Sequence, residues 1–267
     1  MYKYININEY NTEYYDIGEG KTLLFLPGWN NSCRDVSFVA NKLCDLRRCI
    51  VLSFPGFGNS QTPREAFDVS SYAAFTMDFL NAALERKSTD KPLHIDIIAH
   101  SFGGRVVLKL YKEQLEKQNI IVDNLILMGA AGIRKPLTFK GKCRQYFIKA
   151  VNFVFKCELI RKMYPYFQEN LRNKYSSVDY RNARGIMKEI FKKVVNEDLI
   201  NCVDLITSKT LLLWGSKDTA TPLWFGDYYH VAIKESKLKV YEGGDHFFFA
   251  NPKFMGEFIE DVREFLA

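Results

Sequence analysis

The sequence lacks the features that mark membrane, secreted and metal-binding proteins. Its longest uncharged apolar stretch, residues 125–133, is far shorter than the ~20 residues that span a bilayer. Residues 1–13 contain Tyr, Asn and Glu where a signal peptide needs an apolar run. The six cysteines form no C-x-x-C pair and have no ligand-like spacing with the four histidines. We therefore expect a cytoplasmic protein with free thiols, no bound metal and no cofactor.

Internal repeats and low-complexity segments are also missing, and the composition is that of a globular protein. Hydrophobic residues make up 47% of the 267 residues, and charged residues make up 25%. This length is sufficient for one large α/β domain, or for one domain with an insertion.

The positive charge is concentrated in one segment of the chain. Residues 134–193 contain 16 Lys and Arg against 4 Asp and Glu, a surplus of +12, whereas the net charge of the whole chain is +6. The remaining residues are therefore slightly acidic. This change in composition predicts a boundary between a basic segment and the rest of the protein.

Eight short apolar and β-branched runs are predicted to be strands, at residues 2–6, 13–17, 22–26, 49–54, 94–99, 125–128, 210–214 and 237–241. Helical patterns lie between several of them, at residues 36–46, 70–84, 102–118, 223–233 and 253–266. The first two strands follow each other directly and predict an antiparallel hairpin. From Thr22 onward strands and helices alternate, which predicts a mostly parallel sheet with helices on both faces.

The interval of about eighty residues between the strands at Leu125 and Thr210 contains no convincing strand. Two amphipathic helices are predicted in it, at residues 143–155 and 179–199. Active sites of open α/β sheets lie at the carboxyl ends of the strands, which is where this insertion begins. We therefore predict a core domain formed by residues 1–133 and 194–267, with a basic helical cap, residues 134–193, inserted in it.

A single serine joins a predicted strand to a predicted helix. The apolar run 94–99 meets the helical run 105–116 through the segment AHSFGG at residues 99–104. Only a sharp turn joins the two so abruptly, and it would leave the Ser101 hydroxyl exposed at its apex. The usual signature of such a nucleophile elbow is G-x-S-x-G, and Ala99 here replaces the first glycine. The site requires a small residue because strand and helix backbones pass close together.

A serine becomes a good nucleophile only when a base takes its proton, and a third group must orient that base. Two later loops supply these groups. Asp218 follows the predicted strand 210–214, and His246 follows the predicted strand 237–241. The chain order Ser, Asp, His differs from that of the two unrelated serine protease families. Asp245 is a rival carboxylate, but adjacent side chains on a turn seldom face each other, so we favour Asp218.

Catalysis at Ser101 also requires backbone N–H groups that bind the oxyanion of a tetrahedral intermediate. One is expected from Phe102, the residue after the nucleophile. The other is expected from Trp29, in the loop after the third strand, where Gly28 allows a sharp turn. The alternative for this loop is an ordinary Pro-Gly turn without a catalytic role.

Taken together, these segments resemble the α/β-hydrolase superfamily over essentially the whole chain. The matching segments are PGW at 27–29, SFPGFGNS at 53–60, AHSFGG at 99–104, WGSKD at 214–218 and GDHF at 244–247. The resemblance implies an eight-stranded sheet, a Ser-His-Asp triad and a variable cap after the sixth strand. Three positions depart from the family pattern, since Pro27 replaces His, Ser53 replaces Asp and Ala99 replaces Gly. None of the three removes a reacting group.

The fold hosts many reactions, so the site must indicate the chemistry. Dehalogenases and epoxide hydrolases of the superfamily have Asp at the elbow, which Ser101 argues against. Proline-releasing peptidases use acidic cap groups, whereas this cap is basic. We therefore expect hydrolysis of a carboxylic ester or thioester through an acyl-enzyme on Ser101. An acyltransferase with the same triad and a non-catalytic ligand-binding protein of this fold remain alternatives.

The basic cap has two interpretations. It is either a solvated helical face or a surface for an anionic substrate, such as an acyl carrier protein, an acyl-coenzyme A or an amphiphile at an anionic membrane. A basic patch also suits nucleic acid, but no nucleic-acid recognition fold accompanies it, so we expect none. The acyl chain, the leaving group and the oligomeric state are left open.

Overall fold

The computed structural model describes residues 1–87, 91–134 and 178–267, together with the single positions 146, 150, 151, 153 and 166. The described residues contain one sheet of eight strands. In chain order the strands are β1 (Tyr2–Ile7), β2 (Tyr10–Ile17), β3 (Thr22–Leu26), β4 (Arg48–Leu52), β5 (Leu93–His100), β6 (Ile120–Met128), β7 (Lys209–Gly215) and β8 (Ser236–Tyr241).

The spatial order of the strands is β1-β2-β4-β3-β5-β6-β7-β8. Strands β1 and β2 form an antiparallel hairpin, and β2 pairs antiparallel with β4. All other neighbours are parallel. The hairpin turns on Asn8 and Glu9, both at positive φ (50° and 69°), which suits the twist of two-residue hairpins. The predictions of an initial hairpin and of a mostly parallel eight-stranded sheet are therefore confirmed.

The described helices are α1 (Cys33–Asn41), α2 (Val69–Ala83), α3 (Phe102–Lys109), α4 (Val178–Asn182), α5 (Ile186–Asn196), α6 (Trp224–Ala232) and α7 (Pro252–Leu266). Helix α1 is shorter than predicted and begins earlier. Ser32 and Asp35 form a capping box at its start, which fixes the first turn ahead of the expected position. Helix α3 continues from Lys109 as a π-helical turn, Leu110–Gln114, rather than as a regular α-helix.

Helices cover both faces of the sheet, as predicted. On one face α2, α3 and α6 pack through buried residues such as Tyr72, Val106 and Tyr229. On the other face α1 and α7 pack through residues such as Val36 and Phe258. The two hydrophobic layers explain why all five residues of β3 are buried.

The segment after β6 differs from expectation where it is described. The helix predicted at residues 143–155 lies outside the described residues, apart from a few single positions. The helix predicted at residues 179–199 is wrong as one element, because α4 ends at Asn182 and α5 begins at Ile186. Gly185, at φ +51°, separates the two helices, and this backbone conformation interrupts a right-handed helix.

Helix α5 packs directly on the core. Ile190 and Val194 are buried in the same hydrophobic layer as α2 and α3. The buried Arg105 of α3 donates from Nη1 to the carbonyl oxygen of Glu197 (2.7 Å), just beyond the end of α5. The predicted cap boundary between residues 193 and 194 falls inside this helix, so the division into core and cap stays a prediction.

Two further observations concern the described residues only. None of the helices in the described ranges is both long enough and apolar enough to cross a bilayer. The four cysteines within these ranges, Cys33, Cys44, Cys49 and Cys202, are free thiols.

Candidate active site

Ser101 lies at a sharp turn between β5 and α3. The strand ends at His100 and the helix begins at Phe102, so one residue makes the whole connection. Ser101 has φ +50° and ψ −108°, outside the regions that a residue with a Cβ ordinarily adopts. Strain of this kind persists only where the surroundings hold it, and it is frequent at active sites. The half-buried hydroxyl thus stands at the apex of the turn predicted for it.

The side chains next to Ser101 are small for a different structural reason at each position. A Cβ on Gly103 would overlap the carbonyl oxygen of Leu26 in β3. A Cβ on Gly104 would lie 2.6 Å from the Cβ of Ala130. Ala99, by contrast, is fully buried within the sheet beside Leu26, and its methyl group is accommodated in the core. Smallness is therefore essential at the two glycines after the turn, whereas position 99 tolerates one methyl.

His246 and Asp218 are joined by a short hydrogen bond. Nδ1 of His246 lies 2.6 Å from Oδ2 of Asp218, and the Asp218 side chain is almost completely buried. The other oxygen, Oδ1, accepts the backbone N–H groups of Ala220 and Thr221, both at 2.8 Å. Burial alone would raise the pKa of Asp218, but the hydrogen bonds from His246 and Thr221 outweigh it and lower the pKa. The carboxylate is therefore ionised and oriented toward the imidazole.

Asp245, the rival carboxylate, forms a hydrogen bond within its own loop and does not pair with His246. Its Oδ1 accepts the backbone N–H of Phe247 at 2.9 Å, and the residue is exposed. This hydrogen bond closes a turn within the loop that carries His246. The structure thus pairs His246 with Asp218, and the role of Asp245 is to shape the loop.

Thr221 and Gly129 belong to this site although the sequence did not single them out. The Thr221 hydroxyl lies 2.9 Å from both Asp218 Oδ2 and the carbonyl oxygen of Gly129. Gly129 has φ +48°, and a Cβ there would lie 3.0 Å from Asp218 Oδ2 and 3.2 Å from His246 Nδ1. Any side chain at position 129 would therefore press against the His–Asp pair. In the sequence, nothing near Thr221, three positions after Asp218, indicates that its hydroxyl contacts the Asp218 carboxylate.

Strand pairing brings Ser101 to the same edge of the sheet as the His–Asp pair. The backbone N–H of Ser101 donates to the carbonyl oxygen of Met128, and the next residue, Gly129, lies against Asp218. The ring of His100 lies 4.6 Å from the ring of His246, centre to centre. Among the described residues, no hydrogen bond joins the Ser101 hydroxyl to His246. Catalytic hydrogen bonds of ligand-free sites are often long and tighten when substrate binds.

The backbone amides of Trp29 and Phe102 are available as donors. Neither N–H makes a hydrogen bond with another described residue. Phe102 is the first residue of α3, where the helix dipole adds partial positive charge. The Trp29 ring is packed edge-on against Phe57, Phe102 and Phe191, with ring centres 4.9 to 5.5 Å apart. This packing holds the Trp29 loop beside the elbow.

A cavity of about 410 Å³ lies next to Trp29, between the loop at Gly56 and helices α4 and α5. Met187 of α5 fits against Gly56, where a Cβ would overlap its side chain. Asp179 also lines the cavity. A larger cavity, about 840 Å³, lies at the opposite end of the sheet beside Lys209 and Lys237. It contains none of the residues predicted for catalysis.

The loop at residues 53–60 departs from the family pattern at Ser53, and the structure shows what holds it. Ser53 Oγ accepts the backbone N–H of Cys33 at 2.8 Å, which ties the loop to the start of α1. The buried Glu13 of β2 accepts the side-chain amide of Asn59 (2.9 Å) and pairs with Arg34 (2.6 Å). A carboxylate from a neighbouring strand therefore stabilises this loop without an Asp at position 53.

Comparison with known proteins agrees with this architecture. A family model described as alpha/beta hydrolase fold matches residues 21–252. The AB hydrolase superfamily protein YisY of Bacillus subtilis is 25% identical over 258 residues, covering 92% of each chain. An esterase from Exiguobacterium antarcticum superposes with a TM-score of 0.70 at 21% identity, covering 100% of this chain and 99% of the other. A meta-cleavage product hydrolase from Pseudomonas fluorescens superposes with a TM-score of 0.68 at 20% identity, covering 98% and 96%.

Proposed function

This chain belongs to the α/β-hydrolase family, and on that basis we propose that it is a serine hydrolase of carboxylic esters or thioesters. One observation carries the proposal. A serine held at φ +50° lies at the same sheet edge as a histidine that is bonded to a buried carboxylate at 2.6 Å. This is the set of groups needed to activate a hydroxyl for attack on an acyl carbon.

In the first half of the proposed reaction, His246 Nε2 takes the Ser101 proton while Oγ attacks the acyl carbon. The carbonyl π electrons move to its oxygen, and the N–H groups of Trp29 and Phe102 stabilise that negative charge. Collapse of the intermediate breaks the bond to the leaving group. The imidazolium of His246 returns its proton to the departing alkoxide or thiolate.

In the second half, a water molecule replaces the leaving group. His246 takes a proton from water as the water oxygen attacks the acyl-enzyme carbonyl, which gives a second tetrahedral intermediate. Collapse of this intermediate breaks the bond between the acyl carbon and Ser101 Oγ, the His246 imidazolium returns its proton to Oγ, and the carboxylic acid is released. Asp218 fixes the imidazole tautomer with Nδ1 protonated and offsets the positive charge that develops on His246. Its burial and four hydrogen-bond contacts make this carboxylate a rigid support.

The direct test is labelling with a fluorophosphonate probe, which phosphonylates an activated serine. We expect wild type to be labelled, Ser101→Ala to be unlabelled and inactive on p-nitrophenyl butyrate, and His246→Gln to be labelled far more slowly. Ser70→Ala, a serine in α2, is the matched control and should behave as wild type. Absence of labelling of wild type, or equal labelling of Ser101→Ala, would refute the proposal.

Adding an alcohol acceptor to the same assay separates hydrolysis from acyl transfer. Water as the principal acceptor gives free acid as the main product, whereas an acyltransferase would give mainly the new ester. We expect free acid. The predicted cytoplasmic location is part of this proposal and is tested separately by fractionation.

We also propose that the basic cap favours anionic substrates or carriers. In the described part of the cap, Arg184 lines the cavity beside Trp29. Helix α5 adds Lys188 and Lys192, whose ammonium groups lie 5.8 and 5.6 Å from the ring centre of Tyr180. Attraction between exposed charges is screened by salt. We therefore expect kcat/KM for an acyl-coenzyme A to fall between 20 and 300 mM NaCl (roughly the range over which the Debye length shortens several-fold). A neutral p-nitrophenyl ester should show no such fall, and equal salt effects on both would refute an electrostatic role of the cap.

A further inference from the structure

His100, the residue immediately before the nucleophile, is not used in the proposed reaction. It is 2% exposed and is the last residue of β5. Its Nε2 lies 3.0 Å from the backbone carbonyl oxygen of His246. A carbonyl oxygen only accepts hydrogen bonds, so Nε2 must carry the proton and donate it. Burial, with a smaller contribution from His246, lowers the pKa of His100 to about 3, so the ring is neutral.

The other ring nitrogen of His100 faces the loop of Trp29. Nδ1 is completely buried and has no hydrogen-bond partner among the described residues. A Cβ on Gly28 would lie 2.8 Å from this nitrogen and 2.9 Å from Oδ1 of Asn31. The sharp turn expected at Gly28 is present, since the backbone N–H of Asn31 donates to the Gly28 carbonyl oxygen at 3.1 Å. The φ of Gly28 is not positive, however, so the close approach of His100, and not the turn, requires glycine at this position. One imidazole thus contacts both the His246 loop and the Trp29 loop.

The sheet does not pair the strand before His246 directly with the strand before Ser101. Strand β5, which leads to Ser101, and strand β8, which leads to His246, are separated by β6 and β7. No ladder of hydrogen bonds therefore joins them directly. The contact from His100 Nε2 bridges this gap, and ring packing against Phe249 (4.9 Å) and Phe247 (5.2 Å) surrounds it.

We propose that His100 is a positioning residue that fixes the His246 loop and the Trp29 loop in place relative to Ser101. It acts through the hydrogen bond from Nε2 to the His246 carbonyl oxygen and through its contact with Gly28. This inference rests on the proposed hydrolase function. His100 itself transfers no proton and does not contact the substrate. Small displacements of a catalytic base are costly, since a shift of about 1 Å can lower a rate ~100-fold.

Two amide substitutions separate positioning from simple packing. Glutamine places its amide nitrogen the same number of bonds from Cα as Nε2 of histidine, whereas asparagine is one bond shorter. We expect His100→Asn to lower kcat about 10- to 100-fold with KM within about twofold of wild type. His100→Gln should restore kcat to within about threefold. His230→Gln, at an exposed histidine of α6, is the matched control and should be unchanged.

The measurement is kcat on p-nitrophenyl butyrate per active site, with sites counted by fluorophosphonate titration. Counting sites removes any loss that comes only from unfolded protein, and thermal melting shows whether each variant folds. Equal kcat per site for His100→Asn and wild type would overturn the proposal, as would a failure of His100→Gln to exceed His100→Asn. An inactive, unlabelled wild type would instead overturn the hydrolase function itself, so the two failures are distinguishable.

Discussion

Removing the hydroxyl of Thr221 tests whether the support of Asp218 matters for catalysis. Thr221→Val keeps the shape of this buried side chain but deletes the contact to Asp218 Oδ2 at 2.9 Å. A hydrogen bond to a charged group contributes about 1.5–3 kcal/mol. If all of it acted in the transition state, the rate would fall about 10- to 150-fold, at 1.36 kcal/mol per factor of ten.

The structure places the expected effect near the lower end of that range. The single Thr221 proton is shared between Asp218 and the carbonyl oxygen of Gly129, so only part of it serves the carboxylate. The backbone N–H groups of Ala220 and Thr221 continue to hold Oδ1 after the substitution. We therefore expect kcat/KM for p-nitrophenyl butyrate to fall about 10-fold, with the pKa of Asp218 raised.

Thr221→Ser, which keeps the hydroxyl and loses a methyl group, is the control for this prediction. It should retain most of the activity while lowering the melting temperature slightly. A Thr221→Val enzyme as active as wild type would show that the hydroxyl contributes nothing to catalysis. An equal loss in Thr221→Ser would show that packing, and not the hydrogen bond, is what the site requires.

Three further changes probe the scaffold. Gly103→Ala should be destabilised by several kcal/mol (~3 or more, since a rigid backbone atom of Leu26 is overlapped), and thermal melting of soluble protein measures it. Gly256→Ala, in α7 with open space around the position, should instead raise stability by about 0.5–1 kcal/mol, and an unchanged or lower melting temperature would contradict this. For Asp16, burial raises the pKa but Arg48 and other cations outweigh it, so the folded-state pKa lies below its ordinary 3.8. Its stabilisation is then present above pH 3.8 and is lost as the pH falls below it, so Asp16→Asn should flatten the decline of melting temperature in acid.

Most of the architecture could be predicted because it depends on local patterns. The alternation of apolar runs with amphipathic helices identified the eight strands and their mostly parallel arrangement. The positions of Ser101, Asp218 and His246 followed from short segments at strand ends, and each segment carries its own signal. The structure brings His246 and Asp218 into contact and sets Ser101 at the same edge.

The features that escaped prediction depend on contacts between distant segments. Thr221 acts on Gly129, 92 positions away in the chain, only because β6 and β7 are neighbours. The break before α5 depends on the backbone of Gly185, and a single glycine in a helical pattern is tolerated as often as it interrupts. Gly28 is required by the side chain of His100, which is distant in the chain and adjacent only in the folded structure.

The hydrogen bond between His100 and the His246 backbone has a consequence for how this chain folds. It joins residues 146 positions apart, so forming it closes a long loop of the chain. Contacts of such separation form late, because the entropy of loop closure must be overcome before they stabilise anything. During refolding, helical circular dichroism should therefore recover before activity on p-nitrophenyl butyrate, because that activity requires the His246 loop to dock beside the end of β5.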